Sequence, residues 1–500
     1  MGAHDIDYLR LQAENFGSIS NANVELRPLT VFVGPSGSGK SYLARLVYAL
    51  HQYFSRHLAF NWSRWPGTPD FYELVRSTPN LIELVEWLEK HLAGDKLDVQ
   101  IPGELAVLAR EAVKVADTGF ALAHELQRIF GADALGSLVE KTKSDATIVL
   151  SHSPPETPQE PPRFRYEFKI AGDELGWDLH VHEDAPLRLD RSGSYWLRAR
   201  KPGFFERRAP ETSIDGSPIN PMALQTVLAD LAQPSTVGAI SRSAYYLPAG
   251  RSGGVEVQHL VVGSLLHQAT RGQQRAKSTD PLSGVLQDYI EDSSFGLPRA
   301  ISGWESGGEL ARHIEQEVLK GSVRVERAEN GNPSVRFRPA GWDEDLPLAR
   351  VASMVTEMIP VVLYLRHHVQ PGSTIIIEEP EAHMHPAMQV RLAAALAKIV
   401  AAGIRVIITL HSDWILSALA NICRMAELPE EGRTDMAGGD VTLPASHVGI
   451  WEFLPNGTGG TETREIVLDS DNGMYDAGYP RVAQALYDDW ATIHSRLQED

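Results

Sequence analysis

The sequence predicts an α/β fold, a mixed sheet flanked by helices, with a large α+β insertion. Three observations carry this. An unbroken apolar run, Leu29–Val33, leads into Gly34-Pro35-Ser36-Gly37-Ser38-Gly39-Lys40-Ser41 and then a helix-like stretch, YLARLVYALHQYF. Residues 351–425 alternate helix, strand, helix, strand, helix, the order of parallel α/β architecture. Between these parts, residues 51–240 follow a different pattern. The expected organisation is therefore residues 1–50 and 241–500 as two parts of one head, with 51–240 as an accessory region.

In chain order, residues 8–11 and 23–26 alternate as half-buried strands do, and the run before Gly34 reads as a fully buried strand. Helical periodicity occupies roughly residues 80–131, followed by strand-like pieces at 146–150, 164–170 and 177–182. SHSPPETPQEPPR, with five prolines, reads as an extended loop. Residues 188–208 are the most basic stretch: seven Arg and Lys residues interleave with Tyr195, Trp196, Phe204 and Phe205. Such a pattern suits a nucleic-acid backbone and stacked bases. It also suits a twisted hairpin with a solvated basic face, the reading favoured by the acidity of the whole chain. GSVRVERAENGNPSVRFRP reads as a hairpin turning at Asn330-Gly331-Asn332-Pro333.

With 43% hydrophobic and 22% charged residues, the 500-residue chain is expected to be soluble and globular. No apolar run reaches the ~18 residues a membrane span needs. MGAHDIDYLR lacks the basic and apolar layout of a signal, and Ile6 breaks a myristoylation pattern. Cys423 is the single cysteine, so an intramolecular disulfide is excluded and a cytoplasmic location is expected. A net charge of −19 argues against indiscriminate coating of nucleic acid.

GPSGSGKS matches the phosphate-loop pattern G-x-x-x-x-G-K-[ST] in the context the chemistry requires, after a buried strand and before a helix. Glycines let the backbone amides turn inward, and the helix N-terminus adds positive potential. Lys40 is expected on the β and γ phosphates of ATP, and Ser41 on Mg²⁺. A carboxylate from a neighbouring strand must complete the metal shell. Thr374–Ile377 is a short apolar strand that delivers Glu378 and Glu379 to the edge where α/β sheets bind ligands. Glu378 is assigned to Mg²⁺, and Glu379 to orienting and deprotonating the attacking water. His383 and His385 raise the alternative of a transition-metal site. No cysteine or second histidine pair supports it, and a loop near nucleotide is the favoured reading. A third apolar strand, Ile404–Leu410, ends at His411, placed to hydrogen-bond a γ-phosphate and sense its loss.

ENFGSI, GPSGSGKS, YYLPAGRSG, ASMVTEMIPVVLYL, IIIEEPEAHMHP and ITLHS together resemble the ABC-type ATPase head. The resemblance is nearest to the ATPase domain of the OLD (overcoming lysogenization defect) family and its stand-alone relatives in bacterial phage defence. Structural-maintenance-of-chromosomes proteins and RecF are more distant relatives. The likeness covers roughly residues 8–50 and 240–425. It implies a homodimer or higher oligomer in which two heads close around two ATP molecules. The signature segment of each head would reach the phosphates held by the other. Ser353 is the candidate signature serine, expected as a helix N-cap, although Met354 and Val355 stand where the family usually has glycines. No convincing glutamine loop is present, and Arg251 is the candidate for that neighbourhood. Glu381-Ala382-His383 resembles the loop that signals across the dimer. Full OLD nucleases continue into a Toprim domain. Only 89 residues follow His411, and Asp469-Ser470-Asp471 reads as a turn, so no intrinsic nuclease activity is expected.

The function expected on these grounds is an ATP-hydrolysing switch. It would control a separate effector, a nuclease or toxin, in anti-phage defence, with nucleic acid or a phage-derived molecule as the trigger and no membrane. The alternative is a DNA-repair or chromosome-type ATPase that binds DNA in an ATP-dependent way.

Overall fold

The computed structural model describes residues 8–57, 87, 99–101, 120–153, 164–181, 187–189, 240, 242–253, 283–294, 306–327, 333–433, 436, 438–457, 459–467, 487, 488 and 490. Most of the helical pattern at 80–131, the proline-rich loop after residue 153, the basic stretch beyond residue 189, the turn at 330–332 and Asp469–Asp471 lie outside the described residues. The elements used below run in chain order as β1 (Tyr8–Phe16), β2 (Ile19–Leu26), β3 (Leu29–Val33), α1 (Lys40–Gln52), β4 (Val99–Ile101), α2 (Phe120–Phe130), β5 (Asp145–Ser153), β6 (Phe164–Ala171), β7 (Glu174–Val181), β8 (Leu187–Leu189) and β9 (Ala244–Leu247). They continue as α3 (Gly284–Ser294), α4 (Ser306–Ile314), β10 (Gly321–Arg327), β11 (Pro333–Pro339), β12 (Leu346–Pro347), α5 (Ser353–His367), β13 (Thr374–Glu378), α6 (Pro386–Ala401), β14 (Arg405–Leu410), α7 (Asp413–Met425), β15 (Val448–Pro455) and β16 (Thr461–Glu465).

The chain divides into two compact units, one of residues 1–25 and 45–244 and the other of 26–44 and 245–500. In the first, the strand order is β7-β6-β5-β1-β2, and β7, β6, β5 and β1 pair antiparallel. Strand β6 shows why one face is covered: Phe164, Tyr166, Phe168 and Ile170 alternate with more exposed residues and are buried. Their rings meet the segment that follows α1, Phe54 on Tyr166 at 5.1 Å and Tyr53 on Phe168 at 6.0 Å. Helix α2 adds Phe130, edge-on to Phe16 at 5.5 Å.

In the second unit the order is β16-β15-β3-β14-β13-β9. Strands β15, β3, β14 and β13 run parallel, and β16 returns antiparallel on β15. All five residues of β3 and of β13 are buried, as expected of strands covered on both faces. Helices α5, α6 and α7 contribute Met358, Ile359, Leu396, Ile415 and Leu419 to one continuous hydrophobic core with β3, β13 and β14. β10 and β11 form the expected hairpin, with β12 as a third strand. Helix α5 has apolar residues on every side, and Val355 through Val362 are all buried there. Strands β15 and β16 were not anticipated from the sequence. Among the described residues, no helix is long and apolar enough to cross a membrane.

Candidate active site

Parallel register decides where the site lies. Val33 of β3 pairs with Leu410 of β14, and Thr409 of β14 pairs with Glu378 of β13. The carboxyl ends of three neighbouring strands thus stop at one level. The residues that follow them are Gly34, His411 and Glu379, at the edge where open α/β sheets bind ligands.

The loop after β3 is held open by glycine. Gly34 has φ +145°, and a Cβ there would lie 2.7 Å from the carbonyl oxygen of Phe453, so no larger residue fits without moving β15. Phe453 also packs edge-on against Phe32 at 5.4 Å, so β15 backs the loop. Pro35, Ser36 and Gly37 are exposed, whereas Ser38 and Lys40 are buried and Gly39 and Ser41 are half-buried. Lys40 folds back over the loop and donates from Nζ to the carbonyls of Gly34 (2.8 Å) and Pro35 (2.7 Å). Burial lowers its pKa to about 8, against the opposing pull of Glu379 and Glu381. The ammonium therefore remains largely charged at neutral pH while donating to neutral carbonyls. The Ser38 hydroxyl is buried with no hydrogen-bond partner. The first-turn amides of α1 have no carbonyls above them within the helix. A buried ammonium, an orphaned hydroxyl and a helix N-terminus together fit a polyphosphate.

Glu378 is 4% exposed. The Tyr246 hydroxyl donates to its Oε1, and the amide of Ala249 donates to Oε2 at 3.1 Å. Its orientation is thus set by β9 and the segment that follows it. Glu379 takes φ +44°, a left-handed conformation that turns the chain sharply out of β13. Its amide donates to both the carbonyl and the hydroxyl of Thr409, at 3.1 and 3.2 Å. The Glu379 side chain is 43% exposed, and its Oε1 lies 3.5 Å from Nε2 of His411. Burial and then the Lys40 charge lower the His411 pKa, while Glu379 acts in the opposite direction. The His411 amide donates to Oε1 of Glu381 at 2.6 Å. Glu381, 9% exposed, is pushed up to about 7, chiefly by burial.

Lys40, Glu378, Glu379 and His411 thus meet along one rim, but one sequence expectation needs correction. Ser353 is not the N-cap of α5. It is the first helical residue, and Ala352 occupies the cap without a side-chain bond. The Ala352 carbonyl already accepts from Val355 and Thr356, which starts the helix one residue earlier than expected. Ser353 is exposed, with its carbonyl taken by the Thr356 hydroxyl. Arg251, the candidate for the glutamine-loop neighbourhood, is only 1% exposed and donates to the Glu378 carbonyl (2.8 Å) and the Glu357 carbonyl (2.7 Å). The buried Glu357 carboxylate explains this, standing 3.6 Å from Nε.

The histidines of the loop separate. His383 takes φ +63°, and His385 caps α6 by accepting from the Ala387 amide at 3.3 Å. Tyr246, Thr409, Phe453 and Glu357 are supporting residues that sequence reasoning missed. Tyr246, Glu357 and Thr409 left a signal, as parts of YYLPAGRSG, ASMVTEMIPVVLYL and ITLHS.

Residues 289–416 match the family model described as AAA ATPase domain. That span includes Ser353, Glu378, Glu379 and His411 and begins beyond the phosphate loop. No curated protein matches the chain. Similar solved structures include a Smc head bound to the C-winged helix domain of ScpA, at 11% identity and TM-score 0.40, covering 92% of this chain and 98% of that one. A Smc head with an extended coiled coil, bound to the C-terminal domain of ScpA from Pyrococcus furiosus, aligns at 10% identity and TM-score 0.38, over 93% and 97% of the two chains. The Smc head of Thermotoga maritima aligns at 12% identity and TM-score 0.33, over 92% and 99%. The fold is α/β, with a phosphate-loop sequence after β3 and a match to the AAA ATPase domain model over residues 289–416.

Proposed function

We propose that this chain is an ABC-type switch ATPase that binds and hydrolyses ATP with Mg²⁺ and uses the cycle to control a separate effector. The observation that supports it best is the meeting of Glu379 and His411 at 3.5 Å beside a buried, charged Lys40. The Lys40 ammonium would trade its two loop carbonyls for phosphate oxygens, a stronger charge-assisted contact. The loop amides of residues 34–41 and the Ser38 hydroxyl would cradle the phosphates. Ser41 and Glu378 would hold magnesium, which neutralises charge on the phosphate oxygens when bound. Glu378 is already oriented by two donors, so it suits contact through a metal-bound water. Glu379 would accept the proton of the attacking water at its carboxylate as the β–γ bridging bond breaks, leaving ADP and phosphate. His411 would donate from its imidazole to the γ-phosphate and register its departure.

The exposed Ser353 at the first turn of α5 supports a composite site, with the serine of one chain serving Lys40 of another. Control of a nuclease or toxin in bacterial anti-phage defence rests on the resemblance of these motifs to the OLD family. The test is Glu379→Gln with ATP and Mg²⁺, followed by light scattering. An ATP-dependent dimer is expected, and a persistent monomer would contradict the switch.

A further inference from the structure

We infer that Glu381 is a positioning residue for ATP hydrolysis: its carboxylate anchors the main chain of His411 and thereby sets that imidazole against Glu379. The inference rests on the ATPase reading and deepens it.

His411 is the first residue beyond β14, where ladder hydrogen bonds end. Its amide turns to a side chain instead, Oε1 of Glu381 at 2.6 Å. Glu381 is brought there by the left-handed turn at Glu379, closed by Ala382 N–H to Glu379 O (3.1 Å) and Met384 N–H to Glu381 O (3.0 Å). One short loop therefore carries both Glu379 and the anchor for the histidine that faces it. The second oxygen, Oε2, is buried without a partner.

A neutral acceptor would satisfy one amide at lower desolvation cost. A carboxylate here adds a negative group to a site that already holds Glu379. The charged groups that act on it are Lys40 of α1, Glu379 of the same loop and Arg251 after β9, and the amide of His411 donates to it. Burial and Glu379 raise the pKa of Glu381, while the His411 amide and Arg251 lower it. The anchor thus responds to the charge state of the site it supports.

The test uses the full chain and measures kcat, KM and nucleotide affinity for the wild type, Glu381→Gln, Glu381→Ala, His411→Ala and the Glu381→Ala/His411→Ala double variant. Glu381→Ala is expected to lower kcat by ~10-fold or more with little change in KM. Glu381→Gln, which keeps the volume and the acceptor, should stay within ~3-fold of wild type. The double variant should be no slower than His411→Ala alone, because both changes remove one unit. Losses that multiply, or an unchanged kcat in Glu381→Ala, would overturn the inference. Should Glu381→Ala fail to fold, Glu381→Gln decides: it must keep turnover while flattening the rate profile near neutral pH, and a profile identical to wild type overturns the inference. A wild type that binds ATP yet never hydrolyses it would refute the ATPase reading itself, a result distinct from any of these.

Discussion

Arg251 donates from Nη1 to the main-chain oxygen of Glu378 at 2.8 Å, across 127 residues of chain. The same guanidinium reaches the carbonyl of Glu357 on α5, and Ser252 donates to the Glu357 carboxylate at 2.5 Å. Two neighbouring residues thereby tie the end of β13 to the helix that exposes Ser353. Removing the cation leaves a buried carboxylate uncompensated, which costs about 3–5 kcal/mol. Arg251→Met should shift the urea midpoint accordingly. Adding Glu357→Gln should recover part of the loss, since the two changes are coupled. Additive losses would mean that the pair is not the reason for the burial.

Tyr246 holds the carboxylate of the same glutamate. Tyr246→Phe removes one donor without changing shape, at a cost of about 1–3 kcal/mol. A less constrained Glu378 should require more Mg²⁺ for half-maximal turnover, while metal-free ATP affinity stays constant. A Mg²⁺ titration of the variant checks this; an unchanged midpoint would detach Tyr246 from the metal.

Gly34 cannot accept a side chain, because its Cβ would lie 2.7 Å from the Phe453 carbonyl at φ +145°. Gly34→Ala should displace the loop from β15, costing about 1–3 kcal/mol, and weaken ATP binding more than ~10-fold. Calorimetry with ATP measures it, and wild-type affinity in this variant would refute the close approach.

Glu381 gives the nucleotide-free protein a pH-dependent stability. Its pKa rises on folding from the ordinary 4.5 to about 7, so the folded chain binds the extra proton between those values. Stability contributed by this group is present below pH 4.5 and is lost as pH rises through about 7. The full span is worth up to about 3 kcal/mol. Glu381→Gln removes the slope, so it should stabilise the protein more at pH 8 than at pH 4.5. Equal shifts in melting temperature at both pH values would contradict the raised pKa.

Much of the rim was legible in the sequence because each piece is local. An apolar strand followed by a glycine loop, by Glu378-Glu379 or by His411 is visible in one short window. Parallel pairing then brings the three windows together, and the alternation of 351–425 announced that pairing. The cap of α5 was misjudged by one residue, because serine is a favoured cap and the sequence does not reveal that the Ala352 carbonyl starts the helix. The burial of Arg251 could not be read from the sequence because it depends on Glu357, 106 residues away. Tyr246, Phe453 and Thr409 act through tertiary contacts that no periodicity records. β15 escaped notice because Gly449 and Glu452 interrupt its apolar run, although its partner is the buried β3.

The central claim is that Glu379 activates water against an ATP held by Lys40. Single-turnover hydrolysis by Glu379→Gln, alongside its ATP affinity, tests it most directly. The account predicts affinity close to wild type and a rate lower by ~10²–10⁴. A variant that hydrolyses as fast as wild type, or one that loses ATP binding together with turnover, would contradict it.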